Sequence, residues 1–150
     1  LLLLKKIVAV LLILLAGYFG LLQQAGNAPV VLPDGSEHSV GDDQITRAFR
    51  QRAKDLRVRG EGEVIRLLAD DLDGSRHQRF IIRLDSGHTV LIAHNIDLAP
   101  RVDALDKGDS IEFSGIYEWN DRGGVVHWTH HDPQGRQQGG WIEHRGKRYR

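Results

Sequence analysis

From Glu61 onward the chain repeats with a period of two, and that alternation limits the possible folds more than any other feature. Between 110 and 119, Ile111, Phe113, Gly115, Tyr117 and Trp119 share one face, while Ser110, Glu112, Ser114 and Glu118 share the other. A strand with one face in a core and one in water has this pattern. His77 to Asp85 repeats it, with Phe80, Ile82 and Leu84 opposite Arg79 and Arg83. Gly62 to Asp70, His88 to His94 and Val125 to about His130 complete a set of five short strands. Ser86-Gly87 predicts a two-residue hairpin turn and Asn120 to Gly124 a glycine-rich one. The long insertion without strand character, Asn95 to Asp106, falls between the third and fourth strands. This order predicts a mainly β fold, a small five-stranded OB-like Greek-key barrel, with Gly115 letting the fourth strand bend. An open β-sandwich or meander is the other architecture the pattern allows. Residues 136–150 predict a C-terminal hairpin turning at Arg145-Gly146, so the β domain is expected to occupy 59–150.

Upstream the period changes. Asp42 or Asp43 can cap a helix, and Ile45, Phe49, Ala53 and Leu56 follow at spacings of four, four and three. One short amphipathic helix over 42–58 is the expectation. Arg47, Arg50, Arg52, Lys54, Arg57 and Arg59 against the single acid Asp55 give the strongest local charge in the chain. A solvated helix face fits it, and so does contact with anionic lipid or nucleic acid. Residues 29–41, with Pro29, Pro33, Gly35 and Gly41, predict a linker.

The first 28 residues are of another kind. Lys5 and Lys6 precede an uncharged run from Ile7 to Leu22. As a helix that run is roughly 24 Å long at ~1.5 Å per residue, against a hydrocarbon core of about 30 Å. Residues 1–28 are therefore expected to be a signal peptide or a membrane anchor, with the chain beyond them carried across the membrane. Ala25, Gly26 and Ala28 supply the small residues of a cleavage region. The expected location is the inner membrane facing the periplasm, or the periplasm itself, with the membrane as a partner through this helix.

Composition removes several classes of chemistry. Cysteine is absent, so no disulfide, thiolate nucleophile or Cys-ligated metal is available. Lys plus Arg and Asp plus Glu are 20 each, and this balance does not support a general nucleic-acid binder. No serine lies in a G-x-S-x-G elbow, and no G-x-x-x-x-G-K-[ST] or G-x-G-x-x-G loop occurs.

Histidine is the unusual residue, with 8 in the chain. In His127-Trp128-Thr129-His130-His131-Asp132-Pro133-Gln134-Gly135 the last four residues carry the type I turn signature. His127, His130, His131 and Asp132 can hold zinc or another divalent ion, since imidazole and carboxylate are the ligands left in a cysteine-free chain. In a regular strand His127 and His130 point to opposite faces, so a shared ion needs a bulge or an early strand end. The same histidines can instead hydrogen-bond to the turn and backbone at a barrel rim, with no cofactor. Trp119 and Trp128 flank one hairpin and can meet across it.

Four stretches carry a resemblance: G-S-R-H-Q-R-F-I-I-R-L (74–84), A-H-N-I-D-L-A-P-R (93–101), Y-E-W-N-D-R-G-G-V-V-H-W-T-H-H-D-P (117–133) and G-G-W-I (139–142). Together they resemble an uncharacterised bacterial family, a domain of unknown function marked by an H-W-T-H motif in small exported or membrane-anchored proteins. The resemblance covers about Gly62 to Tyr149 and implies no established activity. A weaker one links His94 to Pro100 and Asp121 to Gly124 with thermonuclease-like OB barrels. That family's D-G-D-T calcium loop is here Asp73-Gly74-Ser75-Arg76, and the Glu after its Pro is Arg101.

Two functions follow as expectations. The first is a non-enzymatic binding module whose barrel surface carries Arg76, His77, Arg79, His94, Asn95, Trp119, Asn120, Trp128 and His130. Its ligand would be an oligonucleotide, a glycan or an envelope protein. The alternative is a divalent-metal-dependent hydrolase, a phosphodiesterase or nuclease, built on the His127, His130, His131 and Asp132 set.

Overall fold

The structure, a computed structural model, describes residues 40–150. The apolar segment expected over 1–28 and nearly all of the 29–41 linker lie outside the described residues. Helix α1 (Val40–Arg50) leads into β1 (Leu56–Leu67), β2 (His77–Arg83), β3 (Thr89–Asn95), β4 (Ser110–Glu118), β5 (Val125–His127), β6 (Trp141–His144) and β7 (Lys147–Tyr149). The spatial order is β1-β2-β3-β5-β4, and β4 pairs back onto β1, closing a five-stranded barrel. Closure replaces the open sandwich or meander. The pairing of β3 with β5 is parallel, and the other strand pairs are antiparallel. The hairpin of β6 and β7 takes the half of the β4 edge that β5 leaves free.

Closure rests on β1 serving two neighbours. Its first part pairs with β4, from Leu56 opposite Tyr117 to Glu63 opposite Ser110. Its last part pairs with β2, from Glu63 opposite Arg83 to Leu67 opposite Phe80. The register shifts between Val64 and Arg66, and such a bulge bends a strand sharply enough to turn a barrel corner. Inside, Phe80, Ile82, Val90, Ile92, Phe113, Tyr117 and Val126 are all fully buried, as the alternation requires. Ile45 of α1 is fully buried too, with Phe49, Ala53 and Leu56 packed at the edge of the same core.

The helix is shorter than expected. It stops at Arg50, and Leu56 and Val58 belong to β1 rather than to a helix running to 58. Arg52 and Asp55 take positive φ angles of 53° and 51°, which end the helix, and the Asp55 N–H bonds Glu118 Oε1 at 3.0 Å. Pairing with β4 outweighs the modest helix preference of an Arg/Lys-rich segment. The turn between β2 and β3 also differs. Gly87 N–H bonds Leu84 O at 2.8 Å and Leu84 N–H bonds His88 O at 2.9 Å, which is a three-residue loop of a type I turn plus a left-handed residue. The hairpin at Arg145-Gly146 is as expected, with φ of 49° and 74° at its two turn residues. Among the described residues no helix is long and apolar enough to cross a membrane.

Gly115 is also needed where β5 packs on β4. A Cβ there would stand 2.8 Å from Val126 Cγ1 and overlap the His127 carbonyl oxygen, so glycine is what lets β5 lie against β4. Gly115→Ala is expected to lower the unfolding free energy by about 2 kcal/mol through overpacking, read from urea denaturation. An unchanged midpoint would contradict this packing.

Candidate binding site at the histidine-bearing end of the barrel

The end of the barrel where β1 leaves, β2 begins, and β3 and β5 finish gathers most of the histidines. Strand alternation sends His94 inward after Val90 and Ile92, and its ring is fully buried. Its Nε2 lies 3.0 Å from Pro100 O and its Nδ1 2.8 Å from Thr129 Oγ1. A carbonyl only accepts, so Nε2 carries the hydrogen, and in the neutral ring Nδ1 accepts from the Thr129 hydroxyl. Burial lowers the His94 pKa, and the charges of nearby His130 and His77 lower it further.

Thr129 reaches His94 because the strand breaks just before it. β5 ends at His127, and Trp128 has φ +54°, an uncommon angle for a bulky residue. The kink cancels the regular alternation, so Thr129 turns into the barrel and is fully buried. His130 is buried as well, its ring 4.7 Å from that of Trp128 and its Nδ1–H donating to His131 O at 2.7 Å. Gly140 locks the kink from outside. Its N–H bonds His130 O at 2.7 Å, and a Cβ on it would overlap the carbonyl oxygens of Trp128 and Ser114.

Asp132 closes the turn as expected. Gly135 N–H bonds its carbonyl at 3.1 Å. Its carboxylate accepts the N–H groups of Gln134, Arg136 and Gln137 at 3.0, 2.7 and 2.9 Å. Those N–H bonds hold its carboxyl below the usual range. His131 is exposed. Among the described residues no three His, Asp or Glu side chains are gathered to hold a metal ion, so His127, His130, His131 and Asp132 do not converge here.

The outer wall of β2, β3 and β5 is ordered in rows. His77 faces Asn95, Arg79 faces Ala93, Ile81 faces Leu91 and Arg83 faces Thr89 across β2 and β3. Leu91 is in turn paired with Val125 of β5. Since Phe80, Val90, Ile92 and Val126 point into the core, these alternate residues point out. Ile81, Leu91 and Val125 therefore form an aliphatic row on the outside, half-buried, with polar rows above and below. His127 is half-buried on the same wall. Desolvation lowers its pKa, Glu118 raises it, and His77 and His130 lower it.

Of the guanidinium groups around this wall, those of Arg76, Arg79, Arg83 and Arg101 are already engaged, while exposed Arg66, in register opposite Ile81, has no ion pair among the described residues. Arg76 donates through Nε to Asp97 Oδ1 at 2.6 Å and through its N–H to Oδ2 at 2.8 Å. Arg79 donates twice to Ala69 O, at 3.1 and 3.0 Å, and lies 3.8 Å from Asp71. Arg83 meets Glu63 at 2.8 Å, and Arg101 meets Asp70.

Of the residues expected to form one ligand surface, Arg76, His77, Arg79 and Asn95 lie on or beside this wall. His94 and His130 lie beneath it, buried. Trp119 and Asn120 sit at the other end of the barrel, because the register sets Glu118 opposite Val125 and Ile116 opposite His127. Trp119 stacks on Phe49 at 6.5 Å beneath the Arg52 guanidinium. Asn120 Oδ1 accepts from Arg122 and Gly124 N–H at 2.9 and 3.0 Å, shaping the turn. The two indoles therefore do not meet, and each Nε1 is buried without a hydrogen-bond partner. Two residues escaped the sequence reading. Thr129 was hidden by the kink. Gln78 had a visible signal, as the one amide on the inward face of β2, and it bonds both backbone groups of Val102 at 2.9 and 3.2 Å.

Thr129→Val leaves His94 Nδ1 buried without a partner and is expected to cost about 1–3 kcal/mol, while Thr129→Ser keeps the bond and most of the stability. Equal losses in calorimetry would contradict the hydrogen bond. A pH effect follows from the lowered pKa values of His94 and His127. Unfolded histidine titrates near 6.5, so below that pH the unfolded chain binds more protons than the folded one. The stabilisation is complete above about pH 6.5 and shrinks as the pH falls below it. Melting at pH 7.5 and 5.5 is expected to show this loss, and His94→Gln to reduce it. A variant with the wild-type slope would overturn the assignment to His94.

No curated protein matches the chain. A family model described as Protein of unknown function (DUF3465) matches residues 30–150, a span that takes in the whole barrel, the histidine-bearing end and the C-terminal hairpin. The chain is thus a member of that family of proteins of unknown function.

Proposed function

We propose that this chain is a binding module, an OB-type barrel that receives a protein partner on the outer wall of β2, β3 and β5. The observation that carries the reading is the aliphatic row Ile81, Leu91 and Val125, turned outward between rows bearing Arg79, His127, Arg83 and Thr89. The solvated face of an antiparallel sheet is ordinarily polar. An apolar centre with a polar rim is the anatomy of a protein interface. The pairing of Arg76, Arg79 and Arg83 favours a protein over an oligonucleotide, because phosphate contacts need several uncommitted cations and only Arg66, opposite Ile81, is left without an ion pair beside this row among the described residues. A metal-dependent hydrolase gains no comparable support, since the Asp132 carboxylate is taken up by three backbone N–H groups. The uncharged run after Lys5 and Lys6 supports placing the barrel on the periplasmic side of the inner membrane, with an envelope protein as partner.

Site-specific photocrosslinking tests the wall. A benzophenone side chain at Leu91, in cells, is expected to give a discrete protein adduct that Ile81→Asp abolishes. One at Glu143, on a different part of the surface, is expected to give none. Purified full-length chain is expected to show no saturable binding to single-stranded oligo-dT at physiological salt. Adducts of equal yield from both positions, or tight oligonucleotide binding lost in Ile81→Asp, would contradict a protein-binding wall.

A further inference from the structure

The aliphatic row of the wall can be followed past its ends, strand by strand. Arg66 of β1 is in register with Ile81, Ile81 with Leu91, Leu91 with Val125, and Val125 with Glu118 of β4. The outward row thus reads Arg, Ile, Leu, Val, Glu, with Leu91 in the middle and the same number of strands on either side. Barrel closure does not bring its ends together. β4 meets β1 with Tyr117 opposite Leu56, and Glu118 Oε1 accepts the Asp55 N–H at 3.0 Å, at the opposite end of β1 from Arg66. Barrel strands tilt and stagger, so a hydrogen-bonded row runs as an oblique stripe on the surface rather than as a belt.

The two ends of the stripe carry opposite charge, and neither is neutralised inside the chain. Arg66 is exposed and Glu118 half-buried, and among the described residues neither has an ion pair. A stripe with a cation at one end, a carboxylate at the other and aliphatic side chains between is its own complement when reversed. A twofold contact sets one patch against itself in this manner. With the axis crossing the stripe at Leu91, Ile81 of each copy meets Val125 of the other, and Arg66 of each meets the other's Glu118. Arg79 and Arg83 stand on β2, off the axis. Each therefore faces β5 of the second copy, which carries no arginine or lysine, and not its own counterpart. The arrangement keeps like charges apart, as a specific interface requires.

We propose that the protein received on this wall is a second copy of this chain, in a twofold dimer that seals the aliphatic row and pairs each Arg66 with the second copy's Glu118. The inference rests on the reading of the wall as a protein-binding surface and adds the identity of the occupant.

The absence of cysteine makes disulfide trapping a clean test in the full-length chain. Leu91→Cys, on the axis, is expected to crosslink to itself. When differently tagged Arg66→Cys and Glu118→Cys chains are mixed and oxidised, the 66–118 product is expected to exceed the 66–66 and 118–118 products about tenfold, because a disulfide forms only between closely placed Cα atoms. In the Leu91→Cys chain, Arg66→Glu is expected to lower the trapped yield about threefold or more at low salt, and adding Glu118→Arg to restore it, as reciprocal exposed ion pairs do. Arg66 is exposed, so the melting temperature of Arg66→Glu should hold, which separates a lost interface from a lost fold. The dimer is overturned if Leu91→Cys traps nothing, if the three products of the mixture form equally, or if the charge reversal is without effect. A benzophenone adduct at Leu91 with a different protein, beside no trapped dimer, overturns the second copy and leaves the wall standing. No adduct of any kind removes both.

Discussion

The parallel pairing of β5 with β3 is the constraint on which the rest depends. It consists of two register pairs, Leu91 with Val125 and Ile92 with Val126. Val126 completes the core, Val125 extends the aliphatic row outward, and the chain leaving His127 arrives where Trp128 can turn Thr129 onto His94. Without that insertion β3 and β4 would face each other across a gap and the sheet would have two open edges. Glycine at 115 makes the approach possible, because any side chain there would occupy the space of Val126 and the His127 carbonyl.

His94 extends this constraint to the loops. One ring nitrogen holds Thr129, at the end of β5, and the other holds Pro100, in the long connection to β4. The segments A-H-N-I-D-L-A-P and H-W-T-H, far apart in sequence, are therefore parts of one buried junction. The G-G-W-I segment joins it through the Gly140 bond to His130 O. The ring must stay neutral to remain buried without a nearby carboxylate, so the junction is strongest at neutral and alkaline pH. On the outside the same strand ends leave His77, Asn95 and His127 around the wall, which couples the order of the buried junction to the shape of the surface above it.

Much of the barrel was legible in the residues, for physical reasons. β2 and β4 alternate cleanly because one face is in the core and one in water, and the turns at Asp132 and Arg145-Gly146 are set by local chemistry. What was not legible came from distant partners. The stripe Ile45, Phe49, Ala53 and Leu56 does pack on the core, yet Leu56 reaches it from a strand, since β4 offers hydrogen bonds that a frayed helix end cannot match. Trp119 and Trp128 looked like neighbours across a turn, but the register sets them at opposite ends of β5. The histidine cluster suggested ligands pointing to a common ion. Trp128 in a left-handed conformation sent Thr129 and His130 inward instead, a change of direction that no periodicity encodes.

The arrangement of β5 can be observed directly. Nuclear Overhauser spectra of isotope-labelled protein should show cross-strand contacts between the backbones of Leu91 and Val125 and of Ile92 and Val126, together with contacts from Val58 to Gly115 across the closure. Those contacts would establish a barrel sealed by a parallel β5. Contacts from β3 straight to β4, with none to β5, would contradict it and remove the basis for both the outer wall and the buried histidine junction.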